Sequence, residues 1–145
     1  MPDQETLDRA REDAREGKSP STQAGEFVRE EMHHIREGKH GARSSQQAIA
    51  IGLSKARRAG VKLGTPKGSA ALKKKAEQDE EASEHPRRKV STKRSRATER
   101  ALKREPRSSA SRSALSRQAK SAAARRSKRS RSAAAVKAAR TRKAA

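Results

Sequence analysis

Cysteine is missing from this chain, so disulfides, thiolate metal sites and cysteine nucleophiles are excluded. Tryptophan and tyrosine are missing too, and Phe27 is the one aromatic residue. Modules that read single strands by stacking bases on rings need several aromatics, which argues against them here. Bulky apolar residues are scarce: Leu, Ile, Val and Phe supply 14 of 145 positions. Below roughly 20 per cent of these residues, with high net charge, disorder is the expectation. Each ordered residue costs roughly 1–2 kcal/mol of backbone entropy, which apolar burial has to offset. No apolar run approaches the roughly 18 residues of a membrane span, and the acidic, polar opening residues do not form a secretory signal. A cytoplasmic protein without a membrane partner is expected.

Positive charge is present in excess, and it is segregated. From Pro86 to Ala145 there are 22 Lys and Arg against Glu99 and Glu105, a net of +20, whereas Met1 to His85 is +1. Finer blocks alternate: Met1–Gly41 is −3, Ala42–Lys75 is +9, and Ala76–His85 is −5. A polycation of this density calls for a polyanionic partner, and nucleic acid is the most abundant one in a cell. Arg outnumbers Lys by 15 to 7 in the tail, which favours forked contacts to phosphate. The densest contacts are expected at Arg87, Arg88, Lys89, Arg94, Arg96, Arg125, Arg126, Lys128, Arg129 and Arg131, with secondary ones at Lys55, Arg57 and Arg58. The acidic block could fold onto the tail as a decoy, although a solvated charge run is the simpler reading.

Periodicity marks a helical hairpin in residues 21–63. Ser19 or Ser21 can cap its first helix, with Pro20 in the first turn. Ala24, Val28, Met32 and Ile35 then share a face, with Phe27 beside them, and Gly38 ends the helix. Ser44 and Gln47 fit a capping box for the second helix, whose stripe is Ile49, Gly52, Leu53 and Ala56, with Gly60 as its stop. Phe27, Val28, Met32, Ile35, Ile49, Leu53, Val61 and Leu63 would form the core. Eight such side chains at roughly 1.5–3 kcal/mol each only about balance the ordering cost. The expectation is a fluctuating hairpin, or one completed by a second copy, a protein partner or a ligand. Residues 1–20 form a polar segment with a marginal helix, and 64–85 a linker with an acidic stretch. Residues 86–145 are a low-complexity tail that is disordered until phosphates remove its self-repulsion. The fold class is therefore mostly disordered, with a small all-α hairpin.

Chemistry beyond charge has little support. His33, His34 and His40 stand near Glu30, Glu31 and Glu37, but no two His have the i,i+4 spacing of a helical metal pair, and His85 is distant, so no metal or other cofactor is expected. No oriented nucleophile or phosphate-cradling glycine loop is present, so the chain is not expected to be an enzyme. The second helix is the more basic of the hairpin, as a groove reader would be, yet the joining loop is longer than a helix-turn-helix turn and a third helix is lacking.

The run from Gly38 to Ser44, followed by Gln47-Ala48-Ile49-Ala50-Ile51-Gly52-Leu53-Ser54-Lys55-Ala56-Arg57-Arg58-Ala59-Gly60, resembles a small bacterial family of unknown function. Members look like a short helical segment, this core and often a basic, Ala-rich extension. The likeness spans roughly residues 24–63 and implies no catalytic residue. In composition the tail resembles the carboxyl-terminal arms of histone H1-like bacterial proteins, while favouring Arg over Lys and holding few Pro. The expected function is non-specific binding and compaction of DNA at the nucleoid. The alternatives are an RNA- or ribosome-associated protein, or a regulatory adaptor that docks a protein through residues 21–63.

Overall fold

Serine caps and glycine stops divide the chain into a series of helices. The structure, a computed structural model, describes residues 1–85 and 91–144. Along them run α1 (Gln4–Arg15), α2 (Pro20–Glu37), α3 (Ser45–Arg58), α4 (Ala70–Glu84), α5 (Thr92–Lys103), a 3₁₀ turn (Arg107–Ala110), α6 (Arg112–Ala124) and α7 (Lys128–Ala144). No strand occurs among the described residues.

Each boundary has a local cause. Pro20 occupies the first turn of α2, and Gly38 ends that helix in the left-handed region at φ 81°, with Lys39 N donating to the His34 carbonyl at 3.0 Å. Ser44 Oγ accepts from Gln47 N at 3.2 Å, while the Gln47 side chain reaches back to Arg43 N at 2.8 Å. This is the expected capping box displaced by one residue on its return arm. Ser69, Ser91 and Ser111 cap α4, α5 and α6 in the same way.

The expectation of a mostly disordered chain is overturned: 75% of it is helical. Three features supply what the scarcity of large aliphatics withholds. The first is alanine packing. Ala24, Ala42, Ala48, Ala56 and Ala110 are fully buried, and small side chains let helices approach closely enough to fill space with backbone. Gly52 makes this extreme, because a Cβ there would stand 2.7 Å from Val28 Cα.

The second feature is that segments outside the hairpin complete it. Phe27, Ala56 and Val61 form one cluster with Ala10 and Leu7 of α1, flanked by Leu53 and Leu63. Met32, Ile35, Ala42 and Ala48 form another with Val28 and Ile49, closed by Ala110 and Leu115 from the tail. The tail is thus neither wholly disordered nor wholly separate. Its 3₁₀ turn is pinned by Arg36 Nε donating to the Ala110 carbonyl at 2.9 Å and by buried Ser45 Oγ donating to the Ser109 carbonyl at 2.6 Å. Gly41 N donates to the Leu102 carbonyl, and Gly41 lies so close to Glu105 that any side chain would overlap its carbonyl.

The third is ion pairing. Buried Asp79 of α4 accepts from Ser54 Oγ at 2.6 Å, Arg58 Nε at 2.8 Å and Lys75 Nζ at 2.6 Å, and Lys62 pairs with Glu84 at 2.8 Å. The acidic block therefore folds onto α3 and the residues after it, not onto the basic tail. As a result α3 lies at the centre, packed against α2, α4, α6 and the 3₁₀ turn.

Candidate nucleic-acid interface and a half-buried histidine cluster

The described part of the tail presents its bases to solvent. Arg94 and Arg96 stand exposed on α5; Arg125, Arg126, Lys128, Arg129 and Arg131 stand exposed where α6 passes into α7. Arg87, Arg88 and Lys89 lie outside the described residues. From Ser91 to Lys143 there are 19 Lys and Arg against two acids, and among the described residues of this stretch the one ion pair is Lys103–Glu99, at 2.6 Å. The junction of α6 and α7 is held locally by Arg126 Nη2 on Ser130 Oγ at 3.1 Å and by Ser130 N on Ser127 Oγ at 3.2 Å. Where α3 and α6 begin, Arg43 and Arg117 line a cleft with Ser44, Ser111 and Ser113. This cleft extends the basic surface toward the helical core.

The three secondary candidates are placed differently. Lys55 is inside the fold, its Nζ 2.8 Å from Glu31 Oε2 and 3.1 Å from Glu30 Oε1. Arg57 is buried, 3.7 Å from Glu80, and Arg58 is bound to Asp79. All three lie within 4 Å of acids of this chain, Arg57 without a hydrogen bond from its Nε. The enclosure of α3 also removes it as a free groove-reading helix.

Around Lys55 lies a cluster that spacing along the sequence did not assemble. Glu30 and Glu31 are both buried on α2. Burial alone would raise the Glu30 carboxyl, but a hydrogen bond from Asp3 N and others from Lys55 and Thr6 outweigh it and hold it below the usual range. Burial likewise works to lower Lys55, and is outweighed by Glu31 and Glu30, which raise it. Asp3 is held low chiefly by His34, whose Nε2 lies 3.2 Å from Asp3 Oδ2. The reversal of the chain at Gly38 brings His40 back over α2, with Nε2 3.1 Å from Glu31 Oε1. The rings of His34 and His40 meet edge to face with centroids 6.3 Å apart. His33, which stands near Glu37 in the sequence, is exposed. The usable signal was Glu31 and His34 at i,i+3, a spacing that puts both on one helix face.

Among the described residues no helix is long and apolar enough to cross a membrane. Neither the curated proteins nor the solved structures contain a match to this chain. Residues 18–67, comprising α2, the returning loop, α3 and the stretch after it, match the model of a family of unknown function (DUF6496).

Proposed function

We propose that this chain binds nucleic acid without reading its sequence, DNA first, and compacts it in the manner of a histone-like nucleoid protein. One observation carries the reading: the division of charge seen in the sequence persists in space. The acids of residues 1–85 are engaged largely with bases of that same segment, which leaves the bases of α5, α6 and α7 exposed with hardly an acid among them. Exposed Arg and Lys on helices bind by neutralising phosphates, and each neutralised phosphate releases condensed counterions. The scarcity of aromatic rings and the enclosure of α3 fit affinity without sequence discrimination.

The test is the salt dependence of binding to duplex DNA for the full chain and for a chain ending at Ala124. The shortened chain keeps Ala110 and Leu115, and hence both core clusters, while losing nine bases. At about 0.9 per phosphate contact, the log–log slope should fall by up to about 8. An unchanged slope would remove α7 and its approach from the interface, and salt-insensitive binding would end the proposal. Structured RNA that competes as well as duplex DNA, or better, would move the function to RNA.

A further inference from the structure

We infer that Glu31, His34 and His40 form a binding site for a divalent transition-metal ion of the zinc type. The pairing of donors and acceptors points to it. The Nδ1 of His40 lies 3.1 Å from the Gly41 carbonyl oxygen. A carbonyl only accepts, so Nδ1 carries a proton, which leaves Nε2 as the ring atom placed to take a metal. That atom stands 3.1 Å from Glu31 Oε1. His34 repeats the pattern. Its Nε2 donates to Asp3 Oδ2 at 3.2 Å, which leaves Nδ1 as the ring atom facing the carboxylates, 3.8 Å from Glu30 Oε1.

Glu31 is the decisive residue. Its side chain is 1% exposed, and neither carboxylate oxygen has a hydrogen-bond partner of acceptable geometry. Lys55 stands 2.8 Å from Oε2 as a charge neighbour, off the line of a good hydrogen bond. Glu30, by contrast, is satisfied by Asp3 N at 3.0 Å and Lys55 at 3.1 Å. Two buried carboxylates, those of Glu30 and Glu31, therefore share one ammonium, that of Lys55. A buried region with surplus acceptors and surplus negative charge is stabilised by a cation, and a dication would cancel the remainder.

The donor set chooses among cations. Two imidazoles with one carboxylate suit zinc and its neighbours, while calcium and magnesium take oxygen ligands. One ligand atom each from Glu31, His34 and His40 lies within 4.8 Å of the others. On a tetrahedral ion with bonds of about 2.0–2.2 Å, two ligands sit roughly 3.3 Å apart, so the Glu31–His40 pair is already near its final spacing. The other nitrogen of each ring is held from outside, by Asp3 and by the Gly41 carbonyl, as outer partners of metal-bound histidines are. Lys55 would stay on Glu31 Oε2 while Oε1 takes the ion.

The test uses the full chain after chelator treatment, titrated with Zn²⁺ by calorimetry, with Co²⁺ by visible absorption, and with Mg²⁺ as control. A single Zn²⁺ per chain is expected, with a raised Tm, an intense tetrahedral Co²⁺ band and no effect of Mg²⁺. His34→Gln and His40→Gln should abolish the Co²⁺ band. Asp3→Asn should weaken zinc by about tenfold or more. His33→Gln, beside the site but exposed, should leave affinity unchanged. Absence of saturable Zn²⁺ binding, only a weak octahedral Co²⁺ spectrum, or equal loss in His33→Gln would overturn the site. The Co²⁺ spectrum of the unaltered chain decides the matter even if a histidine variant fails to fold.

Discussion

At Gly52 a hydrogen atom stands where any other residue would put a carbon into the neighbouring helix. A Cβ there would lie 2.7 Å from Val28 Cα and 2.9 Å from its Cγ2, and backbone cannot swing aside as a long side chain can. Gly52→Ala is therefore expected to push α2 and α3 apart and to cost about 1–3 kcal/mol, the usual range for overfilling a packed core. Gly25 provides the opposite case. It sits inside α2 on the exposed side, with nothing within 4 Å of the place a methyl group would take. Gly25→Ala should stabilise by roughly 0.5–1 kcal/mol through helix propensity alone. Denaturant unfolding of the two variants should show midpoints moving in opposite directions. If Gly52→Ala unfolds like the parent, the close contact of α2 with α3 is not what fills this core.

Among the elements, α4 shows how a strongly polar helix is held. It contributes Ala76 and Asp79 as its buried residues, and Asp79 gathers Ser54 and Arg58 from α3 with Lys75 from its own helix. Burial would raise the Asp79 carboxyl, yet the hydrogen bonds from Lys75, Ser54 and Arg58 outweigh it and hold it below the ordinary range. A carboxylate depressed in the folded state contributes its stability in full above its unfolded value, about 3.9. That contribution is lost as pH falls through the folded value. Asp79→Asn should therefore be less stable than the parent at neutral pH and show a flatter decline below about pH 4. Parallel acid unfolding curves would show that Asp79 is not the clamp. The sequence read this element only as a linker with an acidic stretch, and did not show where its acids would go. Helix ends were legible because Ser, Pro and Gly act locally, at Pro20, Gly38, Ser44 and Gly60. The hairpin core was legible because Phe27, Met32, Ile35 and Leu53 carry a helical period. The contribution of Ala10, Ala110 and Leu115 was hidden, since alanine reads alike on a surface and in a core, and Ser109-Ala110 sits in a serine-rich run without period. The histidine cluster was named in the sequence but discounted for a related reason: its third member arrives through the reversal at Gly38, not through spacing along one helix.

For the whole molecule, order and charge run in opposite directions along the chain. The centre of packing is α3, enclosed by α2, α4, α6 and the 3₁₀ turn, whereas α7 has every base exposed and Val136 53% exposed. The side-chain hydrogen bonds of α7 are local ones, such as Thr141 Oγ1 to the Lys137 carbonyl at 3.1 Å. A helix of this kind gains little from packing, and its bases repel one another, so it belongs to the low end of local stability. Amide hydrogen exchange should accordingly be slowest in α2 and α3 and fastest in α7. Phosphates would relieve the repulsion in the tail and have little to relieve in α2 and α3, whose bases already lie against acids of this chain. Adding duplex DNA should therefore slow exchange in α7, and in the exposed parts of α5 and α6, while leaving the amides of α2 and α3 as they were. Protection that appeared in α2 and α3 instead would transfer binding to the helical core and leave the basic helices as bystanders.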